Sequence, residues 1–375
     1  MKNIIFFVVV SLSMAAMIWF GMTVDIYFGR NPLAGIEYPR GRVVDVINDQ
    51  TSVDENGIRR GRQDLLVEIL TGDHRGAVLE VHNMLFIDAP VYAQVGQRVV
   101  VALSKDPMSG AYSAHVHTYE RATAIYAIIL LFLLLLAAVG GKAGIRSAFG
   151  LVFTMVTLLF LLIPAIVSGA PPALLTISLS LVIIAVSLIA IMGFEKKTYV
   201  SIAGTYVGVG LYGIFYLMSG AALRVSGFNV GEMSSLIVFG FQPAARLSEL
   251  LFCGILISSL GAITDTTVSV ASTTAEISRA DKKLDFAGLF RSSMRMARDC
   301  VGSTANTLIL AFAGAFFITL ILFHLHDFEF HMLIHRADIA IEVLRAVTTS
   351  AAMVLAAPVT ALIGSYAYSS KKQKI

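Results

Sequence analysis

Small, polar and acidic side chains recur at helical spacing along one stretch of the chain. This stretch, GAITDTTVSVASTTAEI (261–277), directly continues the apolar run LLFCGILISSL (250–260). Residues three and four positions apart share one helix face, and counting from Asp265 gives such a face. Its members are Gly254, Ser258, Gly261, Asp265, Ser269, Ser272 and Glu276. A carboxylate among hydroxyls in a membrane helix suits ion binding or proton relay. The alternative is a small-residue packing face, which Asp265 fits poorly.

A second polar face lies on the following apolar stretch. Asp299, Ser303 and Asn306 share one helix face, with Thr304 and Thr307 beside them. Because the two helices run antiparallel from a common loop, we expect their polar halves to lie at similar depth. The predicted transport path comprises Asp265, Ser269, Ser272, Glu276, Asp299, Ser303, Asn306 and Thr307. The alternative is an interhelical hydrogen-bond cluster that holds the two helices together.

The histidines indicate a candidate metal site on the outer side of a membrane. The segment HLHDFEFHMLIHRAD (324–338) combines four imidazoles with carboxylates, a donor set that suits Zn, Mn or a related divalent ion. The candidate ligands are His324, His326, His331 and His335. Their spacing matches no established closed site, and solvated histidines are the alternative. No other cofactor is predicted.

The composition favours a membrane protein. Of the 375 residues, 57% are hydrophobic and only 14% are charged, whereas soluble domains carry roughly a quarter charged residues. The net charge of +3 and the absence of a basic, aromatic-interleaved run argue against nucleic acid as a partner. Cys253 and Cys300 provide no disulfide framework.

Eight stretches are long and apolar enough to span a bilayer. They are 4–22, 122–140, 147–168, 172–193, 198–219, 248–270, 302–323 and 346–368. The connections rich in Lys and Arg alternate consistently, which predicts that both termini are cytoplasmic. The predicted domains are an N-terminal anchor at 1–22, an external domain at 23–121, a seven-helix membrane domain at 122–370 and a basic tail at 371–375. For the first span, a cleaved signal peptide is the alternative.

The external segment is rich in valine and alternates apolar with polar residues. Five short strands are predicted, at 41–47, 64–70, 77–84, 97–103 and 111–119. Such spacing is typical of a small all-β barrel, either OB-like or SH3-like. The predicted fold class is therefore an α-helical polytopic membrane protein with a small external barrel.

No enzyme signature is present: the sequence contains no G-x-x-x-x-G-K-[ST], H-E-x-x-H or G-x-S-x-G. The first hypothesis is therefore a gradient-driven transporter for an ion or small solute. The alternative is a non-transport scaffold or sensor whose external domain binds an envelope protein. Besides the lipid bilayer, the predicted partners are a small solute or ion and either a second copy of the chain or an envelope protein.

Three stretches resemble the YibE/F family: LGAITDTTVSVASTTAEI (260–277), RSSMRMARDCVGSTANTLILAFAGA (291–315) and IAIEVLRAVTTSAAMVLAAPVTALI (339–363). The resemblance covers most of residues 122–368. It implies a multi-pass protein of the bacterial cytoplasmic membrane and draws attention to Asp265, Asp299, Asn306 and Pro358 by their positions in the motifs. It implies no particular biochemical activity.

Overall fold

A computed structural model of the chain describes residues 2–24, 36–86, 91–105, 112–226, 236, 246–326 and 328–369. The chain divides into two compact units, one of residues 25–135 and the other of residues 1–24 with 136–375. Most of the apolar segment 222–247 lies outside the described residues, as do the basic tail (371–375) and Asp327.

Long helices account for most of the described chain. They are α1 (Lys2–Thr23), α2 (Ala122–Thr157), α3 (Ile163–Val167), α4 (Pro172–Met192), α5 (Lys196–Leu223), α6 (Leu247–Ala280), α7 (Phe286–Leu325), α8 (Phe330–Ile334) and α9 (Ala337–Tyr368). A π-helical turn, Leu158–Leu162, joins α2 to α3. Both α6 and α7 extend well beyond the predicted spans, because their polar halves continue the same helices.

By length and composition, seven described helices could cross a membrane. The sequence predicts eight spans, and the difference lies at Ala122–Val167, which forms one 46-residue helical segment. Gly141 interrupts this segment with a non-helical backbone, at φ 53° and ψ −131°. A Cβ atom added at Gly144 would clash with the Leu136 carbonyl oxygen, although eight residues of straight helix would separate the two by about 12 Å. The chain therefore bends sharply at the boundary between predicted spans two and three.

Helices α5, α6 and α9 pack closely around the core of the helical unit. Ile255, Leu256, Ile263 and Met353 are fully buried in this core. Small residues permit the close approach: a Cβ atom added at Gly204 would clash with the side chain of Thr360. Such contacts between small residues are a common basis of helix packing in membranes.

The other unit contains a six-stranded sheet. Its strands are β1 (Ile36–Glu37), β2 (Arg40–Val53), β3 (Arg59–Ile69), β4 (Val78–Leu85), β5 (Arg98–Lys105) and β6 (Tyr112–Tyr119). All five predicted strands are present. Alternate residues such as Leu65, Val67 and Ile69 are fully buried in the core of this sheet, as the period of two along a strand requires.

The strand pairings of this sheet run in a circle. β2 pairs with β3, β3 with β4, β4 with β6, β6 with β5, and β5 again with β2. The β4–β6 pairing is parallel and the others are antiparallel. The β2–β3 hairpin is longer than predicted, because its distal residues 48–53 and 59–63 are mostly polar and exposed and therefore lack the apolar alternation of a half-buried strand.

Candidate functional site

Helix α6 has one buried face and one open polar face. Thr267, Ala271 and Thr274 are fully buried within the helical unit. The predicted polar stripe lies on the opposite side of the helix. Six of its members are exposed and Ser272 is half-buried; the exposed ones are Gly254, Ser258, Gly261, Asp265, Ser269 and Glu276. The helical spacing read from the sequence thus identifies a continuous open face of α6.

Asp265 lies at a groove formed by α2, the π-helical turn, α4 and α6. The groove has a volume of about 240 Å³. Apolar side chains form most of its lining, which includes Leu158, Ile184 and Leu260. Its polar groups are the Asp265 carboxylate and the hydroxyls of Thr154, Ser187 and Thr264. A single acidic group is therefore set among hydroxyls in an otherwise apolar concavity.

Two local features position the wall opposite Asp265. Gly150 of α2 packs directly against Ser187 of α4, since a Cβ atom added there would lie 3.5 Å from the Ser187 Cα and Cβ atoms. The Thr154 and Ser187 hydroxyl oxygens consequently lie 3.5 Å apart. The π-helical turn then begins at Leu158, one helical turn beyond Thr154. Single π-helical turns inside α-helices occur frequently at functional sites.

The Asp265 carboxylate has no hydrogen-bond or ion-pair partner among the described residues. Most other acids on the long helices do have one. Glu249 accepts a hydrogen bond from the backbone N–H of Ala173 at 3.2 Å, and Glu342 pairs with Arg345 at 3.0 Å. Because desolvating a carboxylate without compensation is costly, an unpartnered one beside a groove is suited to bind a cation or exchange a proton.

Glu276 differs from Asp265, although both lie on the polar stripe. Its carboxylate forms an ion pair with Arg279 at 2.7 Å, and both side chains are well exposed. This pair lies in the last two turns of α6, which ends at Ala280. Glu276 is therefore placed at one end of the stripe and is already partnered, whereas Asp265 lies midway along it.

The polar residues of α7 are not brought to this groove. Asp299, Ser303, Asn306 and Thr307 are exposed, on a side of the helix away from the packed residue Ala297. Thr307 donates its hydroxyl to the Ser303 carbonyl oxygen at 3.1 Å, and Asp299 has no partner among the described residues. The predicted path residues thus form two separate polar faces, and only that of α6 borders the groove.

The four candidate metal-ligating histidines are all exposed. His331 and His335 are in contact, with ring centroids 4.9 Å apart. His326 instead approaches the Leu322 carbonyl oxygen through Nδ1 at 2.8 Å and stacks with Phe328. In the described part of the chain, these histidines do not belong to a group of three or more converging metal ligands.

Thr154 and Ser187 are site residues that the sequence reasoning did not identify. Both lie in apolar spans that contain other hydroxyls but no charged residue, so nothing in their sequence distinguishes them from hydroxyls that only pack against other helices. A glycine gives a local signal for Thr154 alone: Gly150 precedes it by one helical turn, and α4 packs close to α2 there because Gly150 has no side chain.

The comparisons with known proteins concern mainly the helical region. The model of the family described as YibE/F-like protein matches residues 128–370, which is more than half of the chain. Searches of curated proteins and of solved structures find no match. The matched region contains every residue of the groove and both polar faces.

Proposed function

This chain belongs to the YibE/F-like family, and from that premise we propose that it is a membrane transporter driven by an ion or solute gradient. The observation that carries the proposal is the unpartnered Asp265 carboxylate at the hydroxyl-bearing groove of about 240 Å³. Intramembrane carboxylates are costly and commonly mark ion or proton pathways. The sequence contains no ATP-binding loop, which favours a gradient as the energy source.

The proposed bound species is a proton or a monovalent cation. One carboxylate neutralises one positive charge, and no second acid lines the groove among the residues that the structure describes. The hydroxyl oxygens of Thr154, Ser187 and Thr264 would replace part of the hydration shell of a metal cation, as oxygen ligands do in ion-selective pores. Protonation of Asp265 would release the cation by removing the charge that holds it.

The dimensions of the polar stripe support a path along α6. From Gly254 to Glu276 the stripe covers 22 residues, or about 33 Å of helix. The hydrocarbon core of a bilayer is about 30 Å thick. The stripe therefore extends beyond the end of the predicted span 248–270. Within that span it gives an ion a series of small and polar contacts that includes Asp265, and the Glu276–Arg279 pair lies beyond it.

We include the polar face of α7 in this proposal only for an oligomer, in which a second copy of the chain covers that face. Asp299 lies three residues before the predicted span 302–323 and Asn306 lies within it, and polar groups that face lipid without a partner are costly. A second copy of the chain that covers Asp299 and Asn306 would remove that cost and complete a second lining. We therefore retain a homo-oligomer as part of the proposed function, with the α7 residues in a secondary role.

For the β unit, we propose a closed, OB-like barrel on the outer side of the membrane. The supporting observations are the circle of five paired strands and the parallel pairing of β4 with β6. OB folds are five-stranded Greek-key barrels that bind varied ligands, so the architecture alone assigns no ligand.

The transport proposal is tested by reconstituting the full chain into vesicles loaded with a pH-sensitive dye. Gradients of H⁺, Na⁺ and K⁺ are imposed, and dye response and ion uptake are recorded for the wild type, Asp265→Asn and Asp265→Glu. We expect wild-type flux, loss of flux in Asp265→Asn and partial retention in Asp265→Glu. Glu195→Gln is the control, because Glu195 is an exposed acid outside the groove, paired with Lys197.

Two results would overturn the proposal: no flux of these ions through the wild type, or unchanged flux in a correctly folded Asp265→Asn variant. Gel filtration and thermal unfolding of each variant establish that the protein entering the vesicles is intact.

A further inference from the structure

A row of metal-ligating side chain types crosses three neighbouring strands of the β unit. Asp64 of β3 is directly opposite His82 of β4, and His82 is directly opposite His115 of β6. None of the three belongs to the sheet core, since the buried residues alternate with them along each strand. The sheet register therefore places a carboxylate and two imidazoles side by side on one surface.

Glu80 adds a fourth donor to this row. It lies two residues before His82 on β4 and therefore projects from the same face of the strand. One ligand atom from each of Asp64, Glu80 and His82 can be chosen so that all three lie within 4.8 Å of one another. The His82 Nδ1 atom lies 2.8 Å from the Asp64 Oδ1 atom, and the His82 and His115 rings have centroids 6.1 Å apart.

We propose that Asp64, Glu80, His82 and His115 form a binding site for a divalent transition metal ion, with Zn²⁺ as the best match. Two imidazole nitrogens and two carboxylate oxygens are ligands that Zn²⁺ accepts in four-coordinate sites. Two imidazoles on one tetrahedral Zn²⁺, with Zn–N bonds of about 2.0 Å, have ring centroids about 5 Å apart. The ring centroids of His82 and His115 lie 6.1 Å apart, so these side chains would have to approach each other by about 1 Å.

Arg62 is the competing group at this site. Its guanidinium bonds the Asp64 carboxylate at 2.8 Å and approaches His82 Nδ1 at 3.1 Å. A metal ion and this cation exclude each other, because both occupy the Asp64 oxygen and both are positively charged. The Arg62 side chain is about half exposed, so it can rotate into solvent when the metal binds. The two acids then neutralise the charge of the ion.

To bind the metal ion, His115 must also give up its hydrogen-bond partner, the Ser113 hydroxyl. Its Nε2 atom lies 2.7 Å from the Ser113 hydroxyl oxygen, and the ring is exposed. A hydroxyl rotates freely, so this contact opposes metal binding less than Arg62 does. The proposed site lies wholly within the β unit and does not depend on the transport proposal, which concerns the helical unit.

The test uses the purified full chain in detergent. Zn²⁺ affinity is measured by competition with a chromophoric chelator, and Co²⁺ is used as a spectroscopic probe of the site. We expect one tight site in the wild type, with Co²⁺ absorption in the visible region typical of tetrahedral nitrogen and oxygen ligands. His82→Ala and Glu80→Gln should each weaken Zn²⁺ at least tenfold. Arg62→Ala should tighten it by about tenfold, since a competing cation is removed.

The control is the double variant His331→Ala with His335→Ala, which removes the touching histidine pair of the helical unit. It should keep the wild-type affinity. Glu80 is exposed and makes no described side-chain contact, so Glu80→Gln reports on binding even where His82→Ala fails to fold. Absence of a tight Zn²⁺ site in both the wild type and Arg62→Ala, or unchanged affinity in folded Glu80→Gln and His82→Ala, would overturn the proposal.

Discussion

The hydroxyls of Thr205 on α5 and Thr267 on α6 are hydrogen-bonded at 2.7 Å, with both side chains fully buried. Thr267 follows Asp265 by two residues, which places the two on opposite sides of α6. The hydroxyl-rich sequence around Asp265 therefore serves two purposes. One face fixes α6 to its neighbour, and the other presents polar groups to the groove.

The Thr205–Thr267 contact should stabilise the helical unit without affecting transport. Thr267→Val keeps the side-chain shape and removes the hydroxyl, while Thr205 retains its bond to the Ser201 carbonyl oxygen. We expect a loss of about 0.5–1 kcal/mol in the free energy of unfolding, measured by thermal denaturation in detergent. Ion flux should remain at the wild-type level; a loss of flux at unchanged stability would contradict the division into two faces.

Removal of the Asp265 charge should not destabilise the protein. Because the carboxylate has no partner among the described residues, Asp265→Asn breaks no described contact and replaces an ion with a neutral amide that costs less to desolvate. We expect a Tm equal to or above that of the wild type. A fall in Tm of several degrees would instead indicate that Asp265 holds the helices together.

The approach of α5 to α9 depends on the absence of a side chain at Gly204. Gly204→Ala places a methyl group against Thr360, so we expect a loss of about 1–3 kcal/mol in the free energy of unfolding. Gly210 on the same helix is the matched control, because a Cβ atom there would meet nothing within 4 Å. Gly210→Ala should be neutral or slightly stabilising. Equal losses in both variants would show that the Gly204–Thr360 contact does not determine the effect, since helix propensity by itself favours alanine over glycine.

The sequence predicts which residues of α6 share a face, because the helical period fixes this regardless of where the helix begins. It cannot predict which polar face is buried. Thr267 and Thr274 are as polar as Ser269, yet the threonines are buried and the serine is exposed. That choice follows from close contacts such as Gly204 with Thr360, between residues that are far apart in the chain.

In the β unit, too, the sequence predicts some features of the structure and not others. Alternation identifies the strands and their inner faces, because it is a local property. The row of Asp64, His82 and His115 depends on strand register, and β4 and β6 are separated by another strand in the sequence. Their parallel pairing brings together two histidines that no local pattern connects.

The β unit should lose stability in acid through Asp49. Hydrogen bonds, first from the Thr51 hydroxyl at 2.6 Å and also from the Tyr92 hydroxyl, hold the pKa of the Asp49 carboxyl below its usual value. A carboxyl with a depressed folded-state pKa contributes stability that is present above its unfolded pKa of about 4 and is lost as pH falls through the folded value.

We therefore expect Asp49→Asn to accelerate hydrogen exchange in β2 and β3 at pH 7, measured by mass spectrometry on the full chain. Rates are compared after correction for intrinsic exchange. The difference from the wild type should shrink below about pH 4, where the wild-type carboxyl also becomes protonated. A difference that is independent of pH would assign the effect to altered packing.

The groove itself can be tested by filling it. Ser187 lines the concavity opposite Asp265, whereas Ser178 on the same helix is exposed outside the groove and bonds the Leu174 carbonyl oxygen of its own helix. Ser187→Leu introduces an apolar side chain into the groove and removes a hydroxyl ligand, so we expect flux in reconstituted vesicles to fall at least tenfold. Ser178→Leu makes the same chemical change away from the groove and should transport normally.

Ser187→Ala then separates the two causes. If the hydroxyl coordinates the ion, flux falls in this variant also; if only the space matters, flux is retained. Wild-type flux in Ser187→Leu would place the path elsewhere on α6.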